Sequence, residues 1–468
     1  MTRYIRGGRA ALLAVGLVAL AVTAQGCKET LLEATDPDVI NPSDLASPDG
    51  AEALRVGAVD RLRVISAGGE SMWLLGGLMT DEWKSGDTFA QRDETDKREV
   101  EYAGGVTSNG NVTTAYRNIH RARAAAVQAT VFLRQYRPAP TSSIGQMFFV
   151  KGYAELMSAE NFCNGQPFAT FNGADAIPGA GVPVAQALQL AVASFDSALV
   201  ITTGTDASSV AIQNAAKLGK ARALMGLGGA ASYAAARAAV AGIPTAYRFD
   251  VTFVQISGDN QIWALNNSAR RWVVGDSVDA VVGRIPNSIP FVSARDPRVP
   301  TTTPTPRAFD NTTNFVAQAL WASRGSPAGR EDPAAVVAGV DARLIEAEVM
   351  LSLGDVAGWL ATLNALRATP PTIGGSLVPT GLAPLADPGN AAARVNLQFR
   401  EKAFWTFARG QRLGDLRRLI RQYGRTQDQL FPTGPFPKLG TFGTDVNFPV
   451  PQAEANNPLF LGCTDRNA

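Results

Sequence analysis

Histidine occurs once in this chain, as His120, and cysteine three times. The first scarcity leaves Ser-His or Cys-His nucleophilic catalysis a single candidate base. Together they leave a tetrahedral zinc site, which draws on about four Cys or His ligands, without a donor set. His120 lies in Tyr116-Arg-Asn-Ile-His-Arg-Ala-Arg123, where a partly exposed helix histidine is the expected reading. Basic blocks and acidic tails are missing: 43 Lys and Arg stand against 41 Asp and Glu, a formal net charge of +2. Nothing in that balance points to nucleic acid. No Gly-rich phosphate loop, Walker motif or metal-ligand spacing is present, so neither a metal nor another cofactor is expected. A membrane-spanning helix needs about 20 apolar residues in a row, and none is read after residue 27.

What is present begins at the N-terminus. Arg3, Arg6 and Arg9 precede an apolar run from Ala10 to Ala24, the layout of a secretory signal. The run closes on Ala24-Gln25-Gly26-Cys27, where small residues before a cysteine suit lipoprotein processing. We expect residues 1–26 to be removed and Cys27 to carry a lipid anchor. Lys28, rather than an acid, follows it, so the outer membrane is the expected destination. Cys163 and Cys463 then remain as an even pair in oxidising surroundings, which predicts a disulfide; two unpaired thiols are the alternative.

The mature chain, 46% of whose residues counting the signal are hydrophobic, can bury a large core. Ser47-Pro48-Asp49 reads as a helix start, with Leu54, Ala58, Leu62 and Ile65 on one face. A loop-like region containing Gly68-Gly69 and Gly76-Gly77 follows. Tyr116–Tyr136 is a second helix, with Ile119, Ala122, Ala126, Ala129 and Leu133 on a stripe and Pro138 and Pro140 ending it. Three helical hairpins come next: Gln146–Asn161 with Ala185–Ile201, Ala211–Gly228 with Ala230–Ala241, and Val336–Leu353 with Val356–Ala368. Their small residues and apolar faces suit tetratricopeptide-like pairs that stack to share a core. Residues 242–335 lose helical periodicity and read as an irregular insertion, with a weak strand over Tyr247–Ile256. One long helix is expected over Arg394–Tyr423, and an extended tail over 424–468. The expected organisation is therefore helical repeats over roughly 47–241 and 336–423, interrupted by the insertion.

Four stretches, in order along the mature chain, resemble the SusD/RagB family of outer-membrane nutrient-uptake lipoproteins. They are Thr35-Asp-Pro-Asp-Val-Ile-Asn-Pro42; Asp341-Ala-Arg-Leu-Ile-Glu through Gly354-Asp355 to Asn364-Ala-Leu-Arg367; Arg400-Glu-Lys-Ala-Phe-Trp through Gly414-Asp-Leu-Arg-Arg418; and Phe448-Pro-Val-Pro with Asn457-Pro458. Trp405 and Arg409 stand where the family has glutamates, and Leu459-Phe-Leu-Gly-Cys463 replaces its usual ending. The resemblance implies a mainly α, SusD-like fold of helical hairpins with a loop-rich cap over residues 27–468. It implies a cell-surface lipoprotein that is not an enzyme. Such a protein acts as the lid of a TonB-dependent, SusC-type barrel and captures an oligosaccharide or other nutrient. A helical-repeat scaffold that binds only envelope proteins is the alternative.

Individual residues divide by context. Trp359 and Trp405 sit on periodic helices and read as core. Trp83, Trp263, Trp272 and Trp321 lie in irregular segments, where an aromatic ring serves either as a ligand platform or as a plug. Asp81-Glu82 beside Trp83 is the one tempting carboxylate pair for glycoside chemistry, and a structural role is the expected reading. Arg412 and Asp415, three apart on a helix, are expected to pair, and with Arg417 and Arg418 to form a structural ion network.

Overall fold

In the computed structural model the chain divides at Ser47, residues 1–47 forming one unit and Pro48–Ala468 the other. The structure describes residues 45–100, 106–172, 175–256, 258–320, 329–375, 377–463 and 468. The signal sequence, Cys27, Thr35–Pro42 and Trp321 lie outside the described residues.

The helices of the second unit are α1 (Pro48–Ala67), α2 (Met72–Met79), α3 (Ala90–Lys97), α4 (Gly110–Tyr136), α5 (Thr141–Asn161), α6 (Val184–Ile201), α7 (Ala207–Leu227) and α8 (Ala230–Val240). After the irregular stretch come α9 (Gly339–Ser352), α10 (Val356–Ala368), α11 (Ala391–Trp405) and α12 (Arg412–Tyr423). Local chemistry sets their ends. The side chains of Asn109, Asp206 and Asp355 accept from backbone N–H groups at the starts of α4, α7 and α10, satisfying donors that a helix leaves open. The predicted stripes face inward: Ala58, Leu62 and Ile65 of α1 and Ile119, Ala122, Ala126, Ala129 and Leu133 of α4 are buried.

These helices stack as mainly α, tetratricopeptide-like hairpins. α1 packs on α4, α4 on α5, and each helix from α5 to α9 packs on the next, with α10 closing on α9. Small residues bring α5, α6 and α7 together. A β-carbon at Gly152 would lie 2.9 Å from the Phe195 ring, and one at Gly219 would collide with the same ring from the other side. Helix α6 is by length and composition apolar enough to cross a membrane, with mean hydropathy 1.6. Here its apolar face is covered by α5 and α7.

Four local expectations change. The Gly76-Gly77 region is not a loop but α2, every residue of which is buried. A helix that is apolar all round carries no amphipathic signal, and its glycines admit Asn161 and Trp83 at close range. The third hairpin does not begin at Val336: Ala334–Ala338 is a strand (β5). It pairs antiparallel with Arg248–Val251 (β3), inside the segment read as a weak strand. The single terminal helix is two, α11 and α12, because Thr406–Gln411 turns sharply with Ala408 at φ 60° and Gly410 at φ 64°. The tail is not purely extended: it contains short 3-10 helices at Gln427–Gln429 and Gln452–Asn456, while Val450–Pro451 (β6) runs parallel to Val106–Thr107 (β2) and Phe448 N–H donates to Asn161 O at 2.8 Å.

A disulfide joins Cys163 to Cys463, with the α-carbons 5.9 Å apart. That spacing is ordinary for a bridge. It fastens the tail beside the end of α5, where Cys163 N–H also donates to Phe448 O at 3.0 Å.

Candidate functional site

The carboxylate pair and the arginine cluster meet in the interior. The Arg412 guanidinium donates from two nitrogens to Asp81, at 2.7 and 2.9 Å, and Ile289 N–H donates to the same carboxylate at 2.7 Å. Arg412 and Asp415 therefore do not form the expected three-apart pair. Asp415 instead accepts from Lys402 at 2.6 Å, with Arg418 at 3.6 Å. Arg418 pairs with Glu348, to which Tyr423 also donates at 2.7 Å. Arg417 donates to the carbonyls of Ala159 and Glu160, closing the end of α5. Arg409, at a position where the resembling family has glutamate, forks onto Asp341 at 3.0 and 2.7 Å. The charged side chains among these are buried, and Tyr423 is half-buried. They form an ionic spine tying α12 to α2, α5 and α9.

Glu82 sits within this spine and accepts from Ala408 N–H at 3.2 Å. Burial, reinforced by the neighbouring Asp81 charge, pushes its carboxyl up to about 8. Both members of the pair are enclosed, which is the structural role expected of them. His120 is half-buried on α4, the partly exposed helix position expected of it, with its ring 4.4 Å from Tyr116 and 5.5 Å from Phe168. Burial, and then the Arg123 charge, pull its pKa down to about 3. It is a neutral packing group at physiological pH.

The tryptophans require a correction. Trp83 is 1% exposed and packs on Phe407 at 5.1 Å, and Trp272 is 0% exposed. A ring without an accessible face cannot stack on a ligand, so the platform role is withdrawn for both. For Trp83 the cause is strand alternation; Trp272 lies in a partner strand whose three residues are all buried. Trp83–Ser85 (β1) pairs antiparallel with Trp272–Val274 (β4), and Trp83 and Ser85 point into the core. Trp263 is half-buried against the same core. Trp359 and Trp405 are core, as expected.

The same alternation turns Lys84 outward, toward a polar cleft of about 370 Å³ that the sequence did not reveal. Lys84 pairs with Asp279. Asp279 also accepts from Val281 N–H at 2.7 Å, holding the turn between two short strands. Burial raises the Asp279 carboxyl, but the Lys84 hydrogen bond and charge outweigh it and leave the pKa below its ordinary value. Across the cleft, Asp310 accepts from Thr312 N–H at 2.9 Å and from Thr313 N–H and O–H at 2.8 and 2.7 Å. Burial again pushes upward, and these bonds with Lys438 overcome it, bringing Asp310 to about 2. Lys438, on a loop steadied by the Phe436–Phe442 edge contact, donates to Asp93 at 2.6 Å and Asp87 O at 2.7 Å and lies 3.2 Å from Asp310. Arg307 donates to Thr312 O and Asn314 Oδ1 at 2.7 and 2.9 Å. Beside the cleft, the exposed rings of Phe89 and Phe309 flank the Arg271 guanidinium at 5.1 and 3.8 Å.

A second cavity of about 550 Å³ is a shallow apolar groove between α8 and α9, lined by Tyr233, Arg237, Val349, Leu353 and several alanines. Among the described residues no group of three or more His, Cys, Asp or Glu is arranged to hold a metal ion.

The molecule is thus a helical-repeat platform bearing a loop-built cap with a charged cleft. No family model and no curated protein matches the chain. Solved structures do. A SusD superfamily protein from Bacteroides fragilis is 14% identical with a TM-score of 0.60, over 88% of this chain and 97% of that one. A SusD/RagB family protein from Bacteroides thetaiotaomicron is 12% identical with a TM-score of 0.58, over 89% and 97%. A SusD-like carbohydrate binding protein from Bacteroides vulgatus is 11% identical with a TM-score of 0.53, over 79% and 83%. The fold is that of the SusD superfamily, and the resemblance carried by the sequence is met at the level of the fold.

Proposed function

We propose that this chain is a surface lipoprotein of the outer membrane, anchored through Cys27, that captures a nutrient and serves as the lid of a TonB-dependent, SusC-type transporter. The observation that carries the reading is a SusD-type fold, matched over almost its whole length, with a cleft in its cap. That cleft falls within the size range of ligand pockets, roughly 300–1,000 Å³. The role is binding rather than catalysis: Asp81 and Glu82 are enclosed in the ionic spine, and His120 is a packing group. One captured nutrient named for a neighbour is carbohydrate, the ligand class of the Bacteroides vulgatus protein. The cap, not the Trp83 and Trp272 core, supplies the contact residues.

The test is titration of the purified chain with soluble oligosaccharides and peptides. Saturable binding to at least one class, lost when cleft side chains are replaced, is the expected result. Absence of binding to every compound contradicts capture. A helical-repeat scaffold for envelope proteins draws on the apolar groove between α8 and α9. It predicts binding that Leu353→Asp abolishes and cleft substitutions leave alone.

A further inference from the structure

The cleft carries more charge than a neutral sugar can pair. Seven of its thirteen lining residues carry a formal charge, of both signs, and none is aromatic. The nearest exposed rings, Phe89 and Phe309, each already hold the Arg271 guanidinium against a face. A neutral polyol entering here strips water from paired charges and brings no charge of its own to offset that loss. We propose that the cleft takes a short peptide with free ends, its carboxylate on Arg307 and its ammonium on Asp93. This rests on the nutrient-capture reading and narrows its ligand class.

Each end has a receptor on the page. Arg307 is exposed and uses one terminal nitrogen, Nη1, for Thr312 O and Asn314 Oδ1. Among the described residues it pairs with no carboxylate, so the rest of its planar fork is available to one. Such charge-assisted, two-pronged contacts are stronger than neutral hydrogen bonds. Asp93, which also lines the cleft, accepts from Lys438 through Oδ1, and a carboxylate has lone pairs for more than one donor. Lys438 shares its ammonium among Asp93, Asp87 O and Asp310, so it can yield part of that coordination to an incoming ammonium without leaving the site. Peptide side chains then meet apolar groups on the rim: Val281 is 74% exposed and Leu439 82%. Beside Arg307, Thr312 and Asn314 offer polar partners for a peptide backbone.

The experiment is calorimetric titration of the whole chain with a defined library of tripeptides, compared with the same peptides N-acetylated or C-amidated and with neutral and acidic oligosaccharides. Free-ended tripeptides should bind. Blocking either end should weaken them by about tenfold, the scale of one charge-assisted hydrogen bond. Arg307→Ala should weaken free-ended peptides by a similar factor, without affecting C-amidated ones further, and Arg307→Lys should recover part of the loss. Arg307 is exposed, and an unchanged thermal midpoint would show the variant folded. Binding of oligosaccharides but not peptides overturns the peptide assignment and leaves nutrient capture standing. Binding of neither class overturns both. Peptide binding indifferent to blocked ends and to Arg307→Ala removes the cleft as the site.

Discussion

Two sets of ion pairs in this molecule are built from the same side chains in different surroundings. In the spine, Arg412 and Asp81 are 5% and 1% exposed; in the cleft, Lys84 and Lys438 are 19% and 20% exposed. Burial removes water from both partners of the spine pair, so each depends on the other for its whole solvation. In the cleft, water still reaches the ammonium groups and can replace a lost partner. Cation–carboxylate pairing therefore locks the fold in one region and leaves exchangeable contacts in the other. The spine joins helices far apart in sequence; the cleft joins loops.

The sharpest way to break this comparison is to orphan a spine charge. Arg412→Ala leaves Asp81 buried with the Ile289 N–H as its remaining donor, and should lower stability by about 3–5 kcal/mol in urea unfolding. A loss below about 1 kcal/mol would mean that the spine is as replaceable as the cleft. Next in size is the tail clip. Cys463→Ser opens a bridge between residues 300 apart and should cost about 2–5 kcal/mol, with the tail becoming susceptible to protease before the helices. An unchanged unfolding midpoint for this variant would show that Phe448 and Val450 hold the tail unaided.

A smaller effect is pH-dependent. The folded-state pKa of Glu82 is raised from its ordinary 4.5 to about 8, so the folded chain keeps a proton that the unfolded chain releases. This favours folding below about pH 4.5 and is lost as pH rises toward 8, by at most about 1.4 kcal/mol per pH unit. Glu82→Gln should flatten the fall in stability between pH 5 and 8 relative to wild type (roughly the window between the two pKa values). Parallel pH profiles for the two proteins would contradict the assignment. Smallest of all for the fold is Lys438→Met in the cleft, expected to change stability by about 1 kcal/mol or less while weakening ligand binding. A large loss of stability would place Lys438 with the spine.

How much of this was legible in the sequence follows from how local each signal is. The α1 and α4 helices show as periodic stripes, because their buried residues recur every turn, although α4 begins at Gly110, ahead of the expected Tyr116, after an Asn109 cap that the stripe does not reach. α2 did not show, since Met72 to Met79 is buried on every side and has no polar face to set the period. The break between α11 and α12 was hidden because one of its left-handed residues is Ala408, which carries no turn signature. The strand at Ala334–Ala338 was read as helix from Val336 on, because a short run of alanine and valine fits either state until a partner is known. The disulfide was readable by arithmetic. The cleft was not, because Lys84, Asp279, Asp310 and Lys438 come from four separate segments and meet only through the cap's turns. Tryptophan was a poor guide to the site for a related reason: alternation in β1 assigned Trp83 to the core and Lys84 to the surface, and Trp272 lies in β4, where all three residues are buried.

The central claim, a lipid-anchored capture protein coupled to a transporter, is tested most directly by isolating the tagged full chain from its native outer membrane and identifying by mass spectrometry what is bound. The account predicts a large TonB-dependent barrel in near-equal amount, retained with wild type and lost from the membrane fraction with Cys27→Ala. Recovery of the chain from the soluble fraction, or in the membrane with assembly factors and no barrel, would contradict it.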